Sequence, residues 1–388
     1  MKIAGIIAEY NPFHNGHAWH VRQTQRMTGC DYVVACVDGH FSQRGEPSPF
    51  SRWSRARMAL VCGVDAVFEL PTLFALRTAD AFARGGVAIL GGLGVDCLSF
   101  GCETEDLRII EALADIAEAE PKAVSDAIQA GLERGEAHAR ARGNAIAAYL
   151  KLDPELVNQP NLILAAEYLR AMRKLDMRME TVAVKRRGAY HDQNLGEYAS
   201  ASAIRAALGR GEAEVSARCV PEAARSFTMP EKLHDMDDML FYRLRSLSLA
   251  ELSELPDVGE GLEHRLYRLC RETGTRTTLL EAMKCKRYTH ARLSRLLAHA
   301  LLGFDRAMLA AHPLPTYARL IGIRRGAEPL LRELSHRSSL PMLTAAPDLR
   351  NDPIFQLECR ATDTWALLHD DPAKRLPGRE LTERVVKL

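Results

Sequence analysis

"EYNPFHNGHAWH", residues 9–20, follows directly on the apolar run "KIAGIIA" at residues 2–8. The run is short and rich in β-branched residues, which is typical of a buried strand. The next stretch gathers three histidines around Gly16 and then continues as the helical "AWHVRQTQRMT". A helix that starts directly after a strand presents free backbone N–H groups, which bind phosphate together with the helix dipole. Because glycine lets a ligand approach the backbone closely, the stretch predicts a phosphate site.

The same alternation of strand and helix continues through the first half of the chain. Four further apolar runs predict strands, and helical stretches separate them: "DYVVACVDG" (31–39), "DAVFEL" (65–70), "VDCLSFG" (95–101) and "METVAVKRR" (179–187). This alternation predicts an α/β fold with a doubly wound parallel sheet and helices on both faces. Ligands of such sheets bind beyond the carboxyl ends of the strands, where the polar turns of this chain lie.

The second half of the chain predicts a different architecture. At 388 residues the chain is too long for one ordinary core, so we expect two domains, 1–210 and 211–388. Strand signals fade beyond residue 210, and runs such as "THARLSRLLAHALLG" (289–303) predict a mainly helical domain. A short mixed segment is expected near 317–334 and 340–346. The polar, proline-containing residues 369–388 predict a loosely held tail.

Composition limits the class of protein. Lys and Arg (51) nearly balance Asp and Glu (50), and 47% of the residues are hydrophobic, which is typical of a globular protein. No apolar run is long enough to cross a bilayer, and the first residues do not resemble a secretory signal. The nine cysteines are scattered without a C-x-x-C pair. We therefore expect reduced thiols in the cytoplasm and no zinc site.

Positive charge is concentrated locally. Residues 264–306 hold ten Lys and Arg residues against three acidic ones, with Tyr288 among them. Such a basic helical segment with an aromatic residue predicts contacts to RNA phosphates and bases. The residues expected to bind RNA are Lys286, Arg287, Arg292 and Arg295. The alternative is an ordinary solvated helix face.

His14 and His17 are the first candidates for catalysis. They lie three residues apart, with Gly16 between them, on one side of the first helical turn. Two imidazoles there can donate hydrogen bonds to phosphate oxygens as charge builds up during phosphoryl or nucleotidyl transfer. The alternative is that they only cap the helix or line a polar surface.

Two motifs resemble signatures of the nucleotidyltransferase superfamily. "HNGH" (14–17) resembles its H-x-G-H signature, and "SASAIR" (200–205) resembles its second signature, S-S-T-x-I-R. Ser200, Ser202, Ile204 and Arg205 carry this second likeness, with alanines at positions 201 and 203. The resemblance implies a Rossmann-like, HUP-type nucleotidyltransferase domain. Such domains catalyse the attack of a substrate on the α-phosphate of a nucleoside triphosphate, with release of pyrophosphate.

A larger set of motifs resembles one family, the tRNA(Met) cytidine acetate ligases. These motifs are "AEYNPFHNGH", "FSQRGEPSPF", "DAVFELP", "FGCET", "KRRGAYHD", "KRYTHARLSR" (286–295) and "ATDTWAL" (361–367). The resemblance implies that ATP activates acetate to acetyl-adenylate. The acetyl group then passes to N4 of the wobble cytidine (C34) of elongator tRNA(Met) and forms N4-acetylcytidine. It also implies that residues 1–210 catalyse adenylation and that residues 211–388 bind tRNA.

The resemblance implies a set of site residues. His14, His17 and Arg205 would be catalytic, and the triphosphate would carry Mg²⁺, because the sequence shows no dedicated metal site. The residues expected to contact ATP are Ile7, Ala8, Glu9, Tyr10, Asn11, Pro12, Phe13, His14, Asn15, Gly16, His17, Ala18, Trp19, His20, Gly101, Asn161, Arg186, Ser200 and Ser202.

Several of these assignments have alternatives. Asn161 could instead cap a helix, and the serines of "SASAIR" could serve only as caps. Lys185 and Arg187 compete with Arg186 for the triphosphate. Arg44, in "FSQRGE", could orient acetate or the α-phosphate, or form a surface ion pair.

Two other functions remain open at this point. A small-molecule adenylyltransferase of cofactor biosynthesis shares both signatures, but it would leave the basic second half of the chain without a role. A catalytically inactive RNA-binding protein is disfavoured by the intact His14, His17 and Arg205.

Overall fold

The computed structural model describes residues 1–187, 196–212, 214–285, 287–345 and 349–388. Its strands are β1 (Ile3–Ala8), β2 (Tyr32–Asp38), β3 (Ala66–Leu70), β4 (Cys97–Cys102), β5 (Glu180–Lys185), β6 (Ala318–Ile323), β7 (Met342–Leu343) and β8 (Val386–Lys387). Each of the five predicted strands is present, and the bounds differ from the prediction by one or two residues.

Helices fill most of the remaining chain. The helices of the first half are α1 (Asn15–Thr28), α2 (Arg52–Val61), α3 (Thr72–Ala75), α4 (Ala79–Gly92), α5 (Leu107–Glu118), α6 (Lys122–Glu133), α7 (His138–Leu150), α8 (Pro154–Val157), α9 (Pro160–Lys174) and α10 (Ala201–Gly209). Those that follow are α11 (Glu214–Cys219), α12 (Asp237–Ser246), α13 (Leu249–Ser253), α14 (Leu262–Glu272), α15 (Arg276–Met283), α16 (His290–Leu302), α17 (Arg306–Ala311), α18 (Glu328–Arg337), α19 (Pro353–Ala366) and α20 (Arg379–Thr382). Among the described residues, 3₁₀ helices cover Glu222–Phe227 and Pro372–Lys374. No helix in the described ranges is long and apolar enough to cross a membrane.

The strands form one sheet in the order β5-β4-β1-β2-β3-β6-β7, and β8 pairs with β6. Strands β1 to β5 are parallel to one another, while β6 runs antiparallel to β3. The strand order reverses between β1 and β4, which is the place where doubly wound sheets bind ligands. The predicted fold class is therefore confirmed, with β6 as an antiparallel addition.

Alternating residues of the buried strands face opposite sides of the sheet, which creates two cores. Val34 and Cys36 of β2 pack into the core that also contains α4, α5 and α9. Val33 and Ala35 of the same strand pack against α1 and α2 on the other side. A separate core joins α12 to α16 and contains Leu266. The helical region thus has an apolar interior of its own.

The C-terminal residues are not a loose tail, so that prediction was wrong. Val386 is buried in β8, which pairs with β6, and Glu380 is completely buried. Backbone pairing and a buried carboxylate hold this segment against the sheet, although its composition is polar.

Buried charges surround the junction of β3 and β6. This group, called here the β3–β6 charge cluster, consists of Arg52, Glu69, Arg319, Glu358 and Glu380. Arg52 Nη1 lies 2.7 Å and Arg319 Nη1 lies 2.9 Å from Glu69 Oε2. A buried charge that loses its partner is strongly destabilising, so the cluster needs residues from both ends of the chain.

Candidate active site

A cavity of about 490 Å³ opens at the carboxyl ends of β1 and β4, where the strand order reverses. It brings together fourteen of the predicted ATP-binding and catalytic residues: Ile7, Ala8, Glu9, Tyr10, Asn11, His14, His17, His20, Gly101, Asn161, Arg186, Ser200, Ser202 and Arg205. The two signature motifs, far apart in sequence, therefore face the same cavity.

The other predicted residues of the 7–20 stretch lie outside this cavity. Phe13 and Ala18 are buried in the core beneath α1, because a helix that packs on a sheet must bury one face. Asn15 donates to the backbone oxygens of Glu197 and Arg218, and Pro12 is buried. Gly16 and Trp19 line a smaller cavity beside the main one.

The histidines of the H-x-G-H motif cap α1 reciprocally. The Gly16 amide donates to His14 Nδ1 at 3.0 Å, and the His14 amide donates to His17 Nδ1 at 3.2 Å. The two rings stack with centroids 3.7 Å apart. A Cβ at position 16 would lie 2.8 Å from His14 Cε1, so the motif requires glycine to leave room for this ring.

This capping fixes the tautomer of both rings. Because each Nδ1 accepts from a backbone amide, the proton of each neutral imidazole is on Nε2. Both side chains line the cavity, so each offers an Nε2–H donor to a ligand there. Capping and phosphate binding are compatible, since they use different nitrogen atoms of the same ring.

The histidines stay neutral near pH 7. Burial, with the nearby Arg186 and Arg205, lowers the pKa of His14 to about 3. Burial, His14 and Arg186 lower the pKa of His17 well below 6.5. Burial and Arg186 lower the pKa of His20 to about 4, and its Nε2 lies 3.0 Å from Ser99 Oγ. These imidazoles therefore act as neutral hydrogen-bond donors, and the nearby arginines carry the positive charge.

The second motif starts α10 at the opposite wall of the cavity. Ser200 is the N-cap, and its side chain accepts from the Ala203 amide at 3.2 Å. Ser202 Oγ accepts from Arg44 Nη1 at 3.1 Å and from Arg205 Nη2 at 3.4 Å. Arg205 also donates to the Asn11 backbone oxygen at 2.6 Å, which ties the second motif to the first. Arg44 also belongs to the wall of this cavity.

Asn161 and Arg186 form a third part of the wall. Asn161 is not the N-cap of α9, which is Gln159, so the capping alternative was wrong. Its Nδ2 donates to Glu103 at 2.7 Å, and its Oδ1 accepts from Arg186 Nη1 at 3.2 Å. Of the three candidate cations on β5 and the turn after it, Arg186 lines the main cavity. Lys185 and Arg187 line the smaller one.

Residues that the sequence did not assign to ATP also line the cavity. Thr78, Ala79 and Phe82 come from the start of α4, and Tyr168 comes from α9. Thr78 to Phe82 follow β3, so the rule that ligands bind beyond strand ends could have indicated them. Arg295, predicted to bind RNA, reaches the same cavity from α16.

The other predicted RNA-binding residues lie in different surroundings. Arg287 is exposed and pairs with Glu260 at 2.8 Å. Arg292 is half-buried, donates to the Asp257 backbone oxygen at 2.7 Å and lies over the Tyr288 ring. Lys286 and residues 188–192 of "KRRGAYHD" lie outside the described residues. Within the described ranges, no group of three or more His, Cys, Asp and Glu side chains could hold a metal ion.

The fold and the two motifs at its switch point define a nucleotidyltransferase of the H-x-G-H class, and the model of the HIGH Nucleotidyl Transferase family matches residues 1–379. A tRNA(Met) cytidine acetate ligase of Thermoanaerobacter sp. (strain X514) is 34% identical over 100% of both chains. One of Caldanaerobacter subterraneus subsp. tengcongensis is 35% identical over 95% of this chain and 96% of its own. The chain belongs to the tRNA(Met) cytidine acetate ligase family.

Solved structures agree with this assignment. Thermotoga maritima TmcAL, in a crystal structure bound with alpha-thio ATP, is 28% identical with a TM-score of 0.89 over 100% of both chains. The apo form has a TM-score of 0.91 over the same coverage.

Proposed function

We propose that this protein activates acetate with ATP and acetylates N4 of the wobble cytidine of elongator tRNA(Met). The observation that carries the proposal is the meeting of the two motifs in one cavity at the switch point of the sheet. The family relationship supports the choice of acetate and tRNA as substrates.

The first step is adenylation of acetate. A carboxylate oxygen attacks the α-phosphorus of ATP, the bond to the bridging α–β oxygen breaks, and pyrophosphate leaves as acetyl-adenylate forms. The Nε2–H groups of His14 and His17 donate to the phosphate oxygens as charge builds up, and Arg205 adds a positive charge there. Such preorganised donors stabilise the transition state more than the ground state.

The second step consumes the acetyl-adenylate. The N4 amine of cytidine attacks the acetyl carbonyl carbon, the bond from that carbon to the phosphate oxygen breaks, and AMP leaves. N4 loses one proton and becomes the amide of N4-acetylcytidine. We assign the tRNA contacts to the 211–388 region with Arg287 and Arg292, and the ATP site with His14, His17 and Arg205 to the 1–210 region.

Magnesium would arrive with the triphosphate, because carboxylates are sparse around the cavity and Glu9 is the one acidic residue among its described lining. We place the reaction in the cytoplasm, which suits nine cysteines that are all free thiols.

The experiment is ATP–pyrophosphate exchange with acetate added or withheld, followed by acetyl transfer to tRNA(Met). Acetate-dependent exchange and labelled N4-acetylcytidine are expected. Exchange that ignores acetate and requires a cofactor precursor would instead indicate a small-molecule adenylyltransferase.

A further inference from the structure

Arg295 differs from the other arginines of the cavity because no described residue pairs with its side chain. Its Nε is buried without a hydrogen-bond acceptor, and its guanidinium makes no hydrogen bond or ion pair with any residue that the structure describes. Burial lowers its pKa, and the charges of Asp257 and Asp80 only partly offset this effect. Burying a cation without a partner raises the free energy of the folded state. The position of Arg295 in a ligand cavity therefore indicates an anionic ligand.

The other cations of the cavity are bound to its polar walls. Arg44 and Arg205 donate to Ser202, and Arg186 donates to Asn161, so these three are fixed beside the two signature motifs. They surround the positions where the triphosphate is expected. Arg295 enters from α16 instead, and the negative charge of Asp80 in the first turn of α4 acts on it.

Apolar side chains from α4, the helix that contains Asp80, line this cavity together with Arg295. Ala79 and Phe82 from α4 line the same space, so a cation and an apolar surface are available together. Acetate has this combination of chemistry, since it joins a carboxylate to a methyl group. We propose that Arg295 binds the carboxylate of acetate, with Ala79 and Phe82 beside the methyl group; this inference rests on the proposed function.

A guanidinium suits this role because its parallel N–H groups hold both carboxylate oxygens. Each oxygen keeps a further lone pair, so the bound carboxylate can still attack the α-phosphorus. The attacking oxygen forms the O–P bond, and the electron pair of the broken bond leaves with pyrophosphate. The step needs no additional reactant.

The packing of α16 fixes Arg295 relative to the loop that carries Arg44. Ser294 Oγ donates to the Arg44 backbone oxygen at 2.5 Å, and Arg276 donates to Ser294 Oγ at 2.5 Å and to the Gly45 oxygen at 3.3 Å. Gly45 has φ +76°, and a Cβ there would lie 2.6 Å from the Ser294 backbone carbon. The helical region therefore packs against the loop that carries Arg44, which lets it supply a residue to adenylation.

The test is the acetate dependence of ATP–pyrophosphate exchange in an Arg295→Met variant, without tRNA. Methionine keeps an unbranched apolar stem in place of the arginine stem, which preserves packing. Loss of a charged hydrogen-bonding partner should raise the acetate KM about 10- to 100-fold, while the ATP KM stays within about twofold. Arg295→Lys should give an intermediate rise, because lysine keeps the charge but loses the planar fork. The control is Arg332→Ala, which removes an exposed arginine of α18 far from the cavity lining.

Other outcomes would overturn the inference. An unchanged acetate KM with weaker tRNA binding would make Arg295 an RNA contact, and a raised ATP KM would make it a phosphate contact. If the methionine variant fails to fold, the lysine variant decides the question alone, since an unchanged acetate KM there would refute a bidentate carboxylate site. Absence of acetate-dependent exchange in the unaltered protein would refute the proposed function itself, and it would be seen before any variant was made.

Discussion

Replacement of His17 by alanine tests two roles of its imidazole, which are to cap α1 and to donate a hydrogen bond to the phosphates. In the structure, His17 Nδ1 accepts the His14 amide at 3.2 Å, and the ring presents Nε2–H to the cavity. Loss of the cap acceptor should lower the free energy of unfolding by about 0.5–2 kcal/mol. Loss of a donor aimed at developing charge should raise the barrier to adenylation by about 2.7–4 kcal/mol, which is about 100- to 1000-fold in kcat.

The assays measure these two effects independently. Acetate-dependent ATP–pyrophosphate exchange gives kcat, equilibrium binding gives the ATP Kd, and urea unfolding gives stability. We expect the ATP Kd to change little, because the donor acts mainly in the transition state. His17→Gln should recover part of the stability, since a glutamine oxygen at this helix position can accept the same backbone amide.

A second capping box provides the control. Ser248 caps α13 reciprocally with Glu251, outside the cavity lining, so Ser248→Ala should lose stability but keep kcat. If His17→Ala turned over near the unaltered rate, the assignment of Nε2–H to the phosphates would be wrong. If Ser248→Ala lost as much activity, the effect would reflect stability alone.

Three further outcomes are expected. The exchange rate should show no inflection near pH 6.5, because the pKa values of His14 (about 3) and His20 (about 4) in the folded protein lie far below it. The free energy of unfolding, measured in urea, should fall as the pH drops from about 6.5 toward 4. In that range the unfolded chain binds protons that the folded chain does not. Gly101→Ala should keep its melting temperature, because the new Cβ meets Arg186 Cγ at 3.5 Å, yet it should weaken ATP binding by projecting into the cavity, as calorimetry would measure. Neutralising Arg287 and Arg292 together should weaken tRNA binding. It should also reduce the slope of log K against the logarithm of the salt concentration by about 0.7–0.9 per lost phosphate contact, while acetate-dependent exchange survives. An unchanged slope would mean that the two arginines only form a solvated helix face.

The sequence predicted the parallel part of the sheet well, for a physical reason. Strands buried on both faces are short apolar runs between polar turns, and this pattern is local. The place of β6 is not local: it pairs antiparallel with β3, and Tyr317 donates to Glu69 across 248 residues of sequence. The polar composition of residues 369–388 was likewise misleading, because Glu380 is buried by its partners and not by its own hydrophobicity.

The candidate site was predicted by its motifs but not by its geometry. The H-x-G-H pattern indicated phosphate chemistry, and capping was weighed as an alternative. The structure shows that capping itself orients the donors of His14 and His17. The excess of basic residues in 264–306 placed Arg295 among the predicted RNA contacts. That excess could not show which face of α16 carries the residue. That face is decided by the contact of Ser294 with the loop at Arg44.

The β3–β6 charge cluster has a consequence for synthesis of the protein on the ribosome. Arg52 and Glu380 are 328 residues apart in the chain, and both are buried in the finished molecule. At about 5–20 residues per second, roughly 15–65 s pass between the synthesis of one and the arrival of the other. For most of that time the nascent sheet lacks β6 (Ala318–Ile323), and until Glu380 is made Arg52 cannot be buried with its full set of carboxylates. The candidate active site and the later part of the chain therefore mature together, and a chain released early should be exposed to proteases and chaperones.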